Sequence, residues 1–449
     1  MTVEQALADA VGADHVLVDA SVRASYETDW TRRFQGASRC VVRPATTAEV
    51  AAVVNICASE GVAVCIQGGN TGLVGGSVPV DGAVLLSTAR LRELGDVDPL
   101  AAQVTVGAGV PLAVLQKHVR AAGFDVGVDF AARESCTVGG MCATNAGGER
   151  VLRYGTMRAQ VLGVEAVLAD GSVVTRLGGL PKDNTGYDVV SLLAGSEGTL
   201  GVVTRLRLRL VPLLSGRTVA LVAVDGTSAA VDVVRRLRDR MPSLEAAELF
   251  FADGLALVRE KAGLAAPFAE EHPAYVLFEC AQHDDPTDEL LAALEECDGV
   301  RDATVASDPR GRHALWAYRE SHTEAINAAG VPVKLDVAVP LPSLAAAVAE
   351  LPGTVAAVVP EARTILFGHV NEGNLHVNVL GAVDAGEAVS DAVLKLVASY
   401  GGSISAEHGV GRAKREWLSL SRSPEEIAMM RAIKNALDPR GLLNPGVLL

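Results

Sequence analysis

The residues best suited to chemistry lie in segment 366–380, which reads LFGHVNEGNLHVNVL. Two runs of alternating apolar residues flank Asn-Glu-Gly-Asn, a sequence typical of a tight β-hairpin turn. If Glu-Gly is the centre of the turn, His369 lies directly opposite His376, and the two imidazoles share one face about 5 Å apart. Asn378 points to the same face. The pattern predicts either two ligands of one metal ion or two histidines that merely stack or hydrogen-bond.

A carboxylate and a third imidazole follow in Ser-Ala-Glu-His-Gly, as Glu407 and His408. Two histidines and one glutamate that leave a coordination position open are typical of a catalytic zinc site rather than a structural one. The residue types therefore indicate a divalent metal centre.

Length and charge bound the kind of protein. A chain of 449 residues is too long for one ordinary core and predicts two or three domains. The net charge of −15 argues against nucleic acid or an anionic membrane as a partner. The N-terminus lacks the basic region of a secretory signal, and the most apolar stretch, 339–360, is interrupted by Glu350 and by proline and glycine, so no transmembrane segment is expected. Seven cysteines without a C-x-x-C spacing predict reduced thiols and a cytoplasmic location.

The elements around these residues mix strands and helices. A strand at Cys40, a helix over Ala48–Ser59 capped by Thr46 or Thr47, and a strand over Val62–Ile66 form a predicted β-α-β unit. A boundary near residues 212–216 separates it from a second α+β region. In that region and beyond, the apolar periodicity predicts single helices over Arg312–Ala329 and Pro424–Leu437.

Three glycine-rich blocks lie within the first region, at 67–77, 135–148 and 195–201. Their spacing matches neither the dinucleotide-binding G-x-G-x-x-G fingerprint nor a P-loop. Each block alone reads as ordinary turns. Together, with Ser, Thr or Asn among the glycines, they favour loops that approach a large phosphate-bearing cofactor.

The motifs QGGNTGLVGGSVP, SCTVGGMCATNAGG and GSEGTLGVVT resemble the FAD-binding domain of the vanillyl-alcohol-oxidase/p-cresol-methylhydroxylase flavoproteins. FGHVNEGNLHVN, SAEHGVGRAKREWL and DPRGLLNPG resemble the C-terminal domain of the FAD-linked D-2-hydroxyacid dehydrogenases of that group. The resemblance covers roughly residues 40–446. Segment 316–336 is most similar to the D-2-hydroxyglutarate dehydrogenases.

The resemblance implies an α+β fold with a two-subdomain FAD-binding domain of this type. An α+β substrate domain with an antiparallel sheet and a C-terminal helical segment would complete it. The expected boundaries are an N-terminal helical segment at 1–39, the FAD-binding domain at 40–214, the substrate and metal domain at 215–410, and a returning segment at 411–449.

The resemblance also implies functional residues. The metal ligands, with Zn²⁺ as the expected ion, would be His369, His376 and Glu407, and His408 would be the catalytic base and contact the substrate. Arg319, Thr323, Lys334 and Asn378 match substrate-binding positions. FAD would be bound non-covalently, since no histidine occupies the first glycine-rich block. Its expected contacts are Gln67, Gly68, Gly69, Asn70, Thr71, Gly72, Gly75, Gly76, Ser77, Ser135, Cys136, Thr137, Gly139, Gly140, Ala143, Thr144, Asn145, Gly147, Gly148, Glu197, Gly198, Gly201, Val202 and Asn444.

The expected reaction is oxidation of a D-2-hydroxy acid to the 2-oxo acid by FAD. Arg319 and Thr323 would share one helix face, and with Lys334 and the metal they supply more positive charge than a monocarboxylate needs. This favours D-2-hydroxyglutarate, then D-malate, then D-lactate or glycolate. An electron-transfer flavoprotein or a quinone-linked carrier would accept the electrons, and a homodimer is a family-level expectation.

Three alternatives stay open at the level of sequence. One is an oxidase that passes electrons to O₂. Another is a metal-dependent hydrolase or lyase whose glycine-rich blocks are structural. The third is a nucleotide-binding module without catalysis.

Overall fold

The computed structural model describes all 449 residues, Met1–Leu449. The chain divides into two compact units. The first unit comprises Met1–Gly148, Tyr154–Leu213 and Glu407–Leu449. The second comprises Glu149–Arg153 and Leu214–Ala406. The polypeptide therefore passes from one unit to the other four times, twice around the short segment that follows the second glycine-rich block.

The strands are numbered in chain order. They are β1 (Val16–Leu17), β2 (Cys40–Val42), β3 (Val64–Gln67), β4 (Val84–Ser87), β5 (Gln103–Gly107), β6 (Phe124–Asp125), β7 (Val161–Val167), β8 (Val173–Arg176), β9 (Val202–Arg209), β10 (Val211–Pro212), β11 (Gly216–Val224), β12 (Leu244–Phe251), β13 (Ala274–Gln282), β14 (Val300–Ala306), β15 (Val333–Ala338), β16 (Arg363–His369) and β17 (Asn374–Leu380).

The α-helices are numbered in the same way. They are α1 (Val3–Val11), α2 (Ala20–Glu27), α3 (Thr47–Glu60), α4 (Leu112–Arg120), α5 (Val138–Thr144), α6 (Val151–Tyr154), α7 (Met157–Gln160), α8 (Val189–Leu193), α9 (Thr227–Arg240), α10 (Ala252–Ala262), α11 (Thr287–Glu295), α12 (Pro309–Glu320), α13 (His322–Ala329), α14 (Leu341–Val358), α15 (Gly386–Ser399) and α16 (Pro424–Leu437). Short 3₁₀ helices lie at Ala13–His15, Val370–Glu372, Val383–Ala385 and Arg415–Leu420.

The first unit contains two four-stranded sheets. One has the order β1-β2-β4-β3, in which β2, β4 and β3 run parallel. The predicted β-α-β unit is confirmed as β2-α3-β3, with β4 inserted between its two strands. Thr46 caps α3 by accepting a hydrogen bond from the backbone N–H of Glu49. The other sheet is antiparallel, in the order β5-β9-β7-β8. The first glycine-rich block follows β3, the second contains α5, and the third precedes β9.

The second unit is built on one seven-stranded antiparallel sheet in the order β14-β11-β13-β12-β16-β17-β15. Apolar side chains of one sheet face, including Leu221, Phe250 and Leu277, form a buried cluster with Leu255 of α10 and Ile326 of α13. Helices α9, α11, α14 and α15 form a second group against the sheet. The predicted α+β class and the antiparallel sheet are therefore confirmed.

The helix predicted over Arg312–Ala329 is two helices, α12 and α13, and the prediction of one continuous helix was wrong. The interruption falls at Ser321, whose backbone N–H bonds the carbonyl of Ala317. Apolar periodicity continues across this point because both helices pack on the same sheet face, so the sequence pattern carries no sign of the break.

One helix is long and apolar enough to cross a membrane by length and composition. This is α14, with a mean hydropathy of 1.5. Its buried residues Leu344, Ala347, Leu351 and Val355 lie on one side, and Pro352 lies inside it. A single helix of this kind is weak evidence for a membrane span, so the expected absence of one stays a prediction.

All seven cysteines are buried and none forms a disulfide. Burial raises the pKa of the Cys65 and Cys142 thiols to about 12 and that of Cys136 to about 11. These thiols are thus packed and poorly reactive, as their apolar surroundings in the sequence predict.

Candidate active site

The hairpin formed by β16 and β17 brings the two predicted histidine ligands together, but in a different register from the one predicted. Phe367, not His369, lies opposite His376. The strands are joined by the 3₁₀ helix Val370–Glu372 and by Gly373, a longer connection than a two-residue turn. The register differs by two residues, so His369 still occupies the same face. The ring centroids of His369 and His376 are 5.5 Å apart, and their ligand nitrogens lie within 4.8 Å.

A buried carboxylate on the neighbouring strand orients His369. Glu248 of β12 lies opposite His369 in the sheet and has no exposed surface. Its Oε1 is 2.5 Å from His369 Nδ1, and its Oε2 accepts a hydrogen bond from Arg319 Nε at 2.7 Å. Burial by itself raises the pKa of Glu248, but the nearby His369 and Arg319 outweigh burial and lower it. Glu248 is therefore a buried anion held between an imidazole and a guanidinium.

A second buried carboxylate lies beside His376. Asp336 of β15 pairs with His376 across the sheet, and its Oδ1 is 3.6 Å from His376 Nδ1. Oδ1 also accepts a hydrogen bond from Asn374 Nδ2 at 2.8 Å, and Oδ2 accepts one from the backbone N–H of Ala406 at 3.2 Å. Asp336 thus fixes the chain one residue before Glu407.

These residues fit a divalent cation. Metal-binding histidines usually direct their second ring nitrogen to a carboxylate, which sets the tautomer and strengthens the ligand. His369 has this arrangement through a hydrogen bond at Nδ1, which favours Nε2 as the nitrogen that would bind the ion, and the Asp336 carboxylate lies 3.6 Å from Nδ1 of His376. Imidazole nitrogens together with a carboxylate are the donors that Zn²⁺ prefers.

The four predicted substrate-binding residues occupy different elements of the second unit. Arg319 lies in the last turn of α12, and its guanidinium carbon lies 4.5 Å from the centre of the Phe367 ring. Thr323 is half-buried in α13, not on the helix of Arg319. Lys334 of β15 pairs directly with the buried Asn378 of β17, and burial lowers the pKa of the lysine. Asn378 donates a hydrogen bond to the carbonyl of His376 at 3.3 Å. The positive charge of Arg319 is balanced by Glu248, which reduces the cationic excess expected from the sequence.

Glu407 and His408 belong to the first unit, where the second and third glycine-rich blocks hold their segment. The backbone N–H of Gly148 donates to Glu407 Oε1 at 3.0 Å. A Cβ at Gly147 would lie 2.8 Å from the same oxygen, so a larger residue there would require the carboxylate to move. The carboxylate of Glu197 accepts hydrogen bonds from the backbone N–H groups of Val410 and Gly411, both at 2.8 Å.

Several polar residues predicted to contact FAD have side chains that hold the loops themselves. Gln67 Nε2 donates to the carbonyls of Tyr26 and Ser77, and Asn70 Nδ2 donates to the carbonyl of Thr28. Other such bonds join Ser77 to Asn70, Thr137 to Gly140, Thr144 to Gly140, Asn145 to Arg158, and Asn444 to both Ile66 and Glu197. The side chains of Cys136 and Val202 are buried.

The glycines of these blocks fall into two groups. A Cβ would lie less than 3.0 Å from another protein atom at Gly68, Gly69, Gly75, Gly139, Gly147, Gly148, Gly195 and Gly198. No such approach occurs at Gly72, Gly76, Gly140 or Gly201, and Gly72 has no neighbouring atom within 4 Å. Thr71, Gly72, Ser135, Gly140 and Ala143 retain solvent exposure. The blocks therefore fit a cofactor that is contacted mainly by backbone, with open space at Gly72.

Sequence reasoning missed Glu248 and Asp336, although a signal existed for both. Glu248 is one of two glutamates in the otherwise apolar strand LEAAELFF, and Asp336 is the acidic residue of VKLDVA. A charge in such a position is almost never fully buried without a partner, so it points to a functional cluster.

Comparison with known families defines the class of protein. Residues 214–448 match the family described as FAD linked oxidases, C-terminal domain, and residues 38–176 match the FAD binding domain family. The structure is similar to p-cresol methylhydroxylase with substrate bound, with a TM-score of 0.78 and 17% identity over 99% of this chain and 95% of that one. The chain belongs to the FAD-linked oxidases and has the vanillyl-alcohol-oxidase/p-cresol-methylhydroxylase fold, as the sequence motifs predict.

The curated relatives narrow the class. A mitochondrial D-2-hydroxyglutarate dehydrogenase of Bos taurus is 40% identical over 96% of this chain and 80% of its own length. A D-2-hydroxyglutarate dehydrogenase of Xanthomonas citri pv. viticola is 39% identical over 98% of this chain and 96% of its own. A Schizosaccharomyces pombe relative, 34% identical over 97% of this chain and 88% of its own, has a provisional name as a mitochondrial D-lactate dehydrogenase. The protein is an FAD-linked oxidoreductase of this dehydrogenase group.

Proposed function

We propose that the protein oxidises D-2-hydroxyglutarate to 2-oxoglutarate with FAD and with the assistance of a divalent metal ion. The observation that carries the proposal is the pair His369 and His376, of which the first is hydrogen-bonded to the buried Glu248 and the second lies 3.6 Å from the buried Asp336. Relatives named D-2-hydroxyglutarate dehydrogenase support the choice of substrate.

The proposed metal ligands are His369, His376 and Glu407. Ala406, the residue before Glu407, is bonded to Asp336 beside His376, which supports including Glu407 in the set. When bound, FAD would supply a hydride acceptor for C2 of the substrate, and the cation would supply Lewis acidity that lowers the pKa of the substrate hydroxyl.

The proposed base is His408, whose imidazole would take the proton from the substrate hydroxyl as C2 loses its hydride. Loss of that proton and hydride converts the alcohol into the ketone, so the oxidation balances. An imidazole is suited to this role near neutral pH. The backbone around His408 is held by Glu197 at Val410 and Gly411, which limits the positions that the imidazole can reach.

Lys334 and Arg319 would bind the distal carboxylate of the substrate, with Thr323 and Asn378 as neutral partners. Lys334 is half-buried and shares a sheet face with Asp336, His376 and Asn378, because β-strand residues two apart point the same way. A cation that is partly removed from water interacts strongly with a second carboxylate. D-Malate and D-lactate are the competing substrates, the latter in view of the fungal relative.

An anaerobic substrate panel tests the proposal. Purified protein with bound flavin would be mixed with D-2-hydroxyglutarate, D-malate, D-lactate, glycolate and the L-forms, while the visible flavin absorbance is followed and the product is identified. We expect fast bleaching by D-2-hydroxyglutarate and formation of 2-oxoglutarate. Equal rates with D-lactate would contradict the dicarboxylate assignment. A colourless protein would favour the hydrolase alternative, and a yellow one that no acid bleaches would favour the binding module.

The electron acceptor separates a dehydrogenase from an oxidase. We propose an electron-transfer flavoprotein or a quinone-linked carrier as acceptor. Admission of oxygen to the bleached protein should then restore the colour slowly, whereas addition of the carrier should restore it quickly. Rapid recovery with oxygen alone would establish the oxidase alternative.

A further inference from the structure

We propose that Glu248 is a positioning residue that connects the metal ligand His369 to the substrate-binding Arg319 through one buried carboxylate, so that metal binding and substrate binding depend on the same side chain. The inference deepens the proposed function and rests on it for the roles of His369 and Arg319.

The geometry gives each carboxylate oxygen its own partner. Glu248 lies on β12, directly opposite His369 on β16, so both side chains project from the same sheet face. Oε1 meets His369 Nδ1 at 2.5 Å, and Oε2 accepts from Arg319 Nε at 2.7 Å. Glu248 has no exposed surface, His369 is 6% exposed, and only 11% of the Arg319 side chain is exposed. Water therefore cannot take the place of either bond without rearrangement.

Glu248 determines the tautomer and the orientation of the His369 ring. A carboxylate oxygen at Nδ1 favours the tautomer with the proton on Nδ1 and the lone pair on Nε2. The same contact restricts rotation of the imidazole ring about the side-chain torsion angles of His369. An amide in place of the carboxylate would lose the negative charge that strengthens the imidazole as a ligand.

The same carboxylate determines the orientation of the Arg319 guanidinium group. Glu248 engages Nε, and Phe367 packs against the face of the guanidinium at 4.5 Å. A carboxylate of the substrate would then meet the terminal amino groups, which form a planar fork suited to two parallel hydrogen bonds. Without Glu248, the guanidinium would keep its charge but lose its orientation.

A buried ion pair on the same strand provides a matched control. Glu245 is also in β12, is 2% exposed, and contacts Arg153 at 3.3 Å and Arg217 at 2.9 Å. Arg153 and Arg217 lie outside the proposed site. If Glu248 served only to stabilise the sheet, Glu248→Gln and Glu245→Gln would have similar consequences.

The first experiment measures zinc binding to the flavin-containing protein without substrate. Zn²⁺ bound per flavin would be determined over a range of free Zn²⁺ set by a chelator buffer, for the wild type, Glu248→Gln and Glu245→Gln. We expect Glu248→Gln to weaken zinc binding by about 10- to 100-fold, as for other residues that support metal ligands. Glu245→Gln should leave zinc affinity within about threefold of the wild type, even if its thermal stability falls.

The second experiment separates KM from kcat with the preferred substrate at saturating zinc. Glu248→Gln should raise KM because Arg319 loses its orientation, and Arg319→Met in the Glu248→Gln background should raise it little further. If Glu248→Gln does not fold, Glu248→Asp serves instead, since it keeps the charge but is one methylene too short to reach both partners. It too should weaken zinc binding.

The outcomes are distinguishable from failure of the proposed function. A wild type that binds no zinc and bleaches with no hydroxy acid would overturn the proposed function. A wild type that binds zinc, with Glu248 variants that bind it equally well, would overturn only the role of Glu248. Equal loss of zinc in the Glu245 and Glu248 variants would likewise overturn it.

Discussion

The hairpin of the second unit and the glycine-rich loops of the first unit build candidate binding sites in opposite ways. In the hairpin, the candidate ligand side chains His369 and His376 face one another, and buried carboxylates of neighbouring strands lie beside them. In the loops, polar side chains such as those of Gln67 and Asn444 hold the backbone in place, and the open space lies at glycines such as Gly72. A site made of side chains should lose binding when a side chain is truncated. A site made of backbone should lose binding when a side chain is added at a glycine.

The largest effect should come from removing a hairpin imidazole. His376→Ala should lower metal content to background and reduce flavin reduction by the substrate at least about a thousandfold, because a bound ion contributes several kcal/mol to such reactions. Flavin content should not change. His313→Ala, an exposed histidine of α12, is the control. Retention of both metal and activity in His376→Ala would refute the side-chain site.

The next effect concerns substrate choice. Lys334→Met should lower kcat/KM for D-2-hydroxyglutarate by roughly 10- to 100-fold, because a charged hydrogen bond is worth about 1.5–3 kcal/mol, and should change D-lactate little. Lys395→Met, on the exposed surface of α15, should alter neither. An unchanged ratio between the two substrates would exclude Lys334 as the ligand of a second carboxylate.

Adding one methyl group to the loops should separate their two kinds of glycine. At Gly69 a Cβ would lie 2.0 Å from the carbonyl oxygen of Ser135, whereas at Gly72 it would meet nothing. Gly69→Ala should cost about 1–3 kcal/mol of unfolding free energy and lower flavin content. Gly72→Ala should leave the melting temperature of the flavin-free protein unchanged and weaken flavin binding alone. Similar melting temperatures for both variants would show that the contrast between these glycines is wrong.

The smallest effect is an acid sensitivity built into the second unit. His322 is fully buried between Phe250 and Phe367, and burial lowers its pKa to about 3. The unfolded chain, with an ordinary histidine pKa of about 6.5, binds the proton more tightly. The contribution of the uncharged, buried His322 to the free energy of unfolding is therefore complete above about pH 6.5. It declines as the pH falls below that value.

His322→Phe should reduce this decline. Urea unfolding above and below pH 6.5, with the wild type as reference, measures it. The difference between the two pH values should be smaller in the variant. An equal difference would mean that His322 takes no part in the acid sensitivity.

The sequence was sufficient for the class of fold and for the face on which the candidate ligands lie, but not for their register. Alternation along β16 and β17 places His369 and His376 on one face in any register shifted by an even number of residues. The choice among those registers depends on the conformation of the segment that joins the two strands. Val370–Glu372 forms a 3₁₀ helix, which the sequence Asn-Glu-Gly-Asn does not predict. The correct face was therefore predicted together with the wrong partner.

The residues that support the candidate site, such as Glu248 and Glu197, act through contacts between segments that are distant in the sequence. Local sequence patterns do not predict such contacts. Glu248 and His369 are 121 residues apart, and Glu197 and Val410 are 213 apart. The resemblance around GSEG implies a cofactor contact for Glu197, which stays a prediction, and in the structure the Glu197 carboxylate accepts hydrogen bonds from the backbone beyond His408. Only the pairing of strands and loops in three dimensions reveals such roles.

The most direct test measures flavin and metal in the same sample. Purified protein would be treated with a chelator, analysed for bound metal and flavin, mixed anaerobically with D-2-hydroxyglutarate, and then supplied with one equivalent of Zn²⁺. We predict that the metal-free protein stays yellow, is not bleached by the acid, and regains bleaching when zinc is restored. Bleaching at the original rate after complete removal of metal would contradict a metal-assisted oxidation centred on His369 and His376.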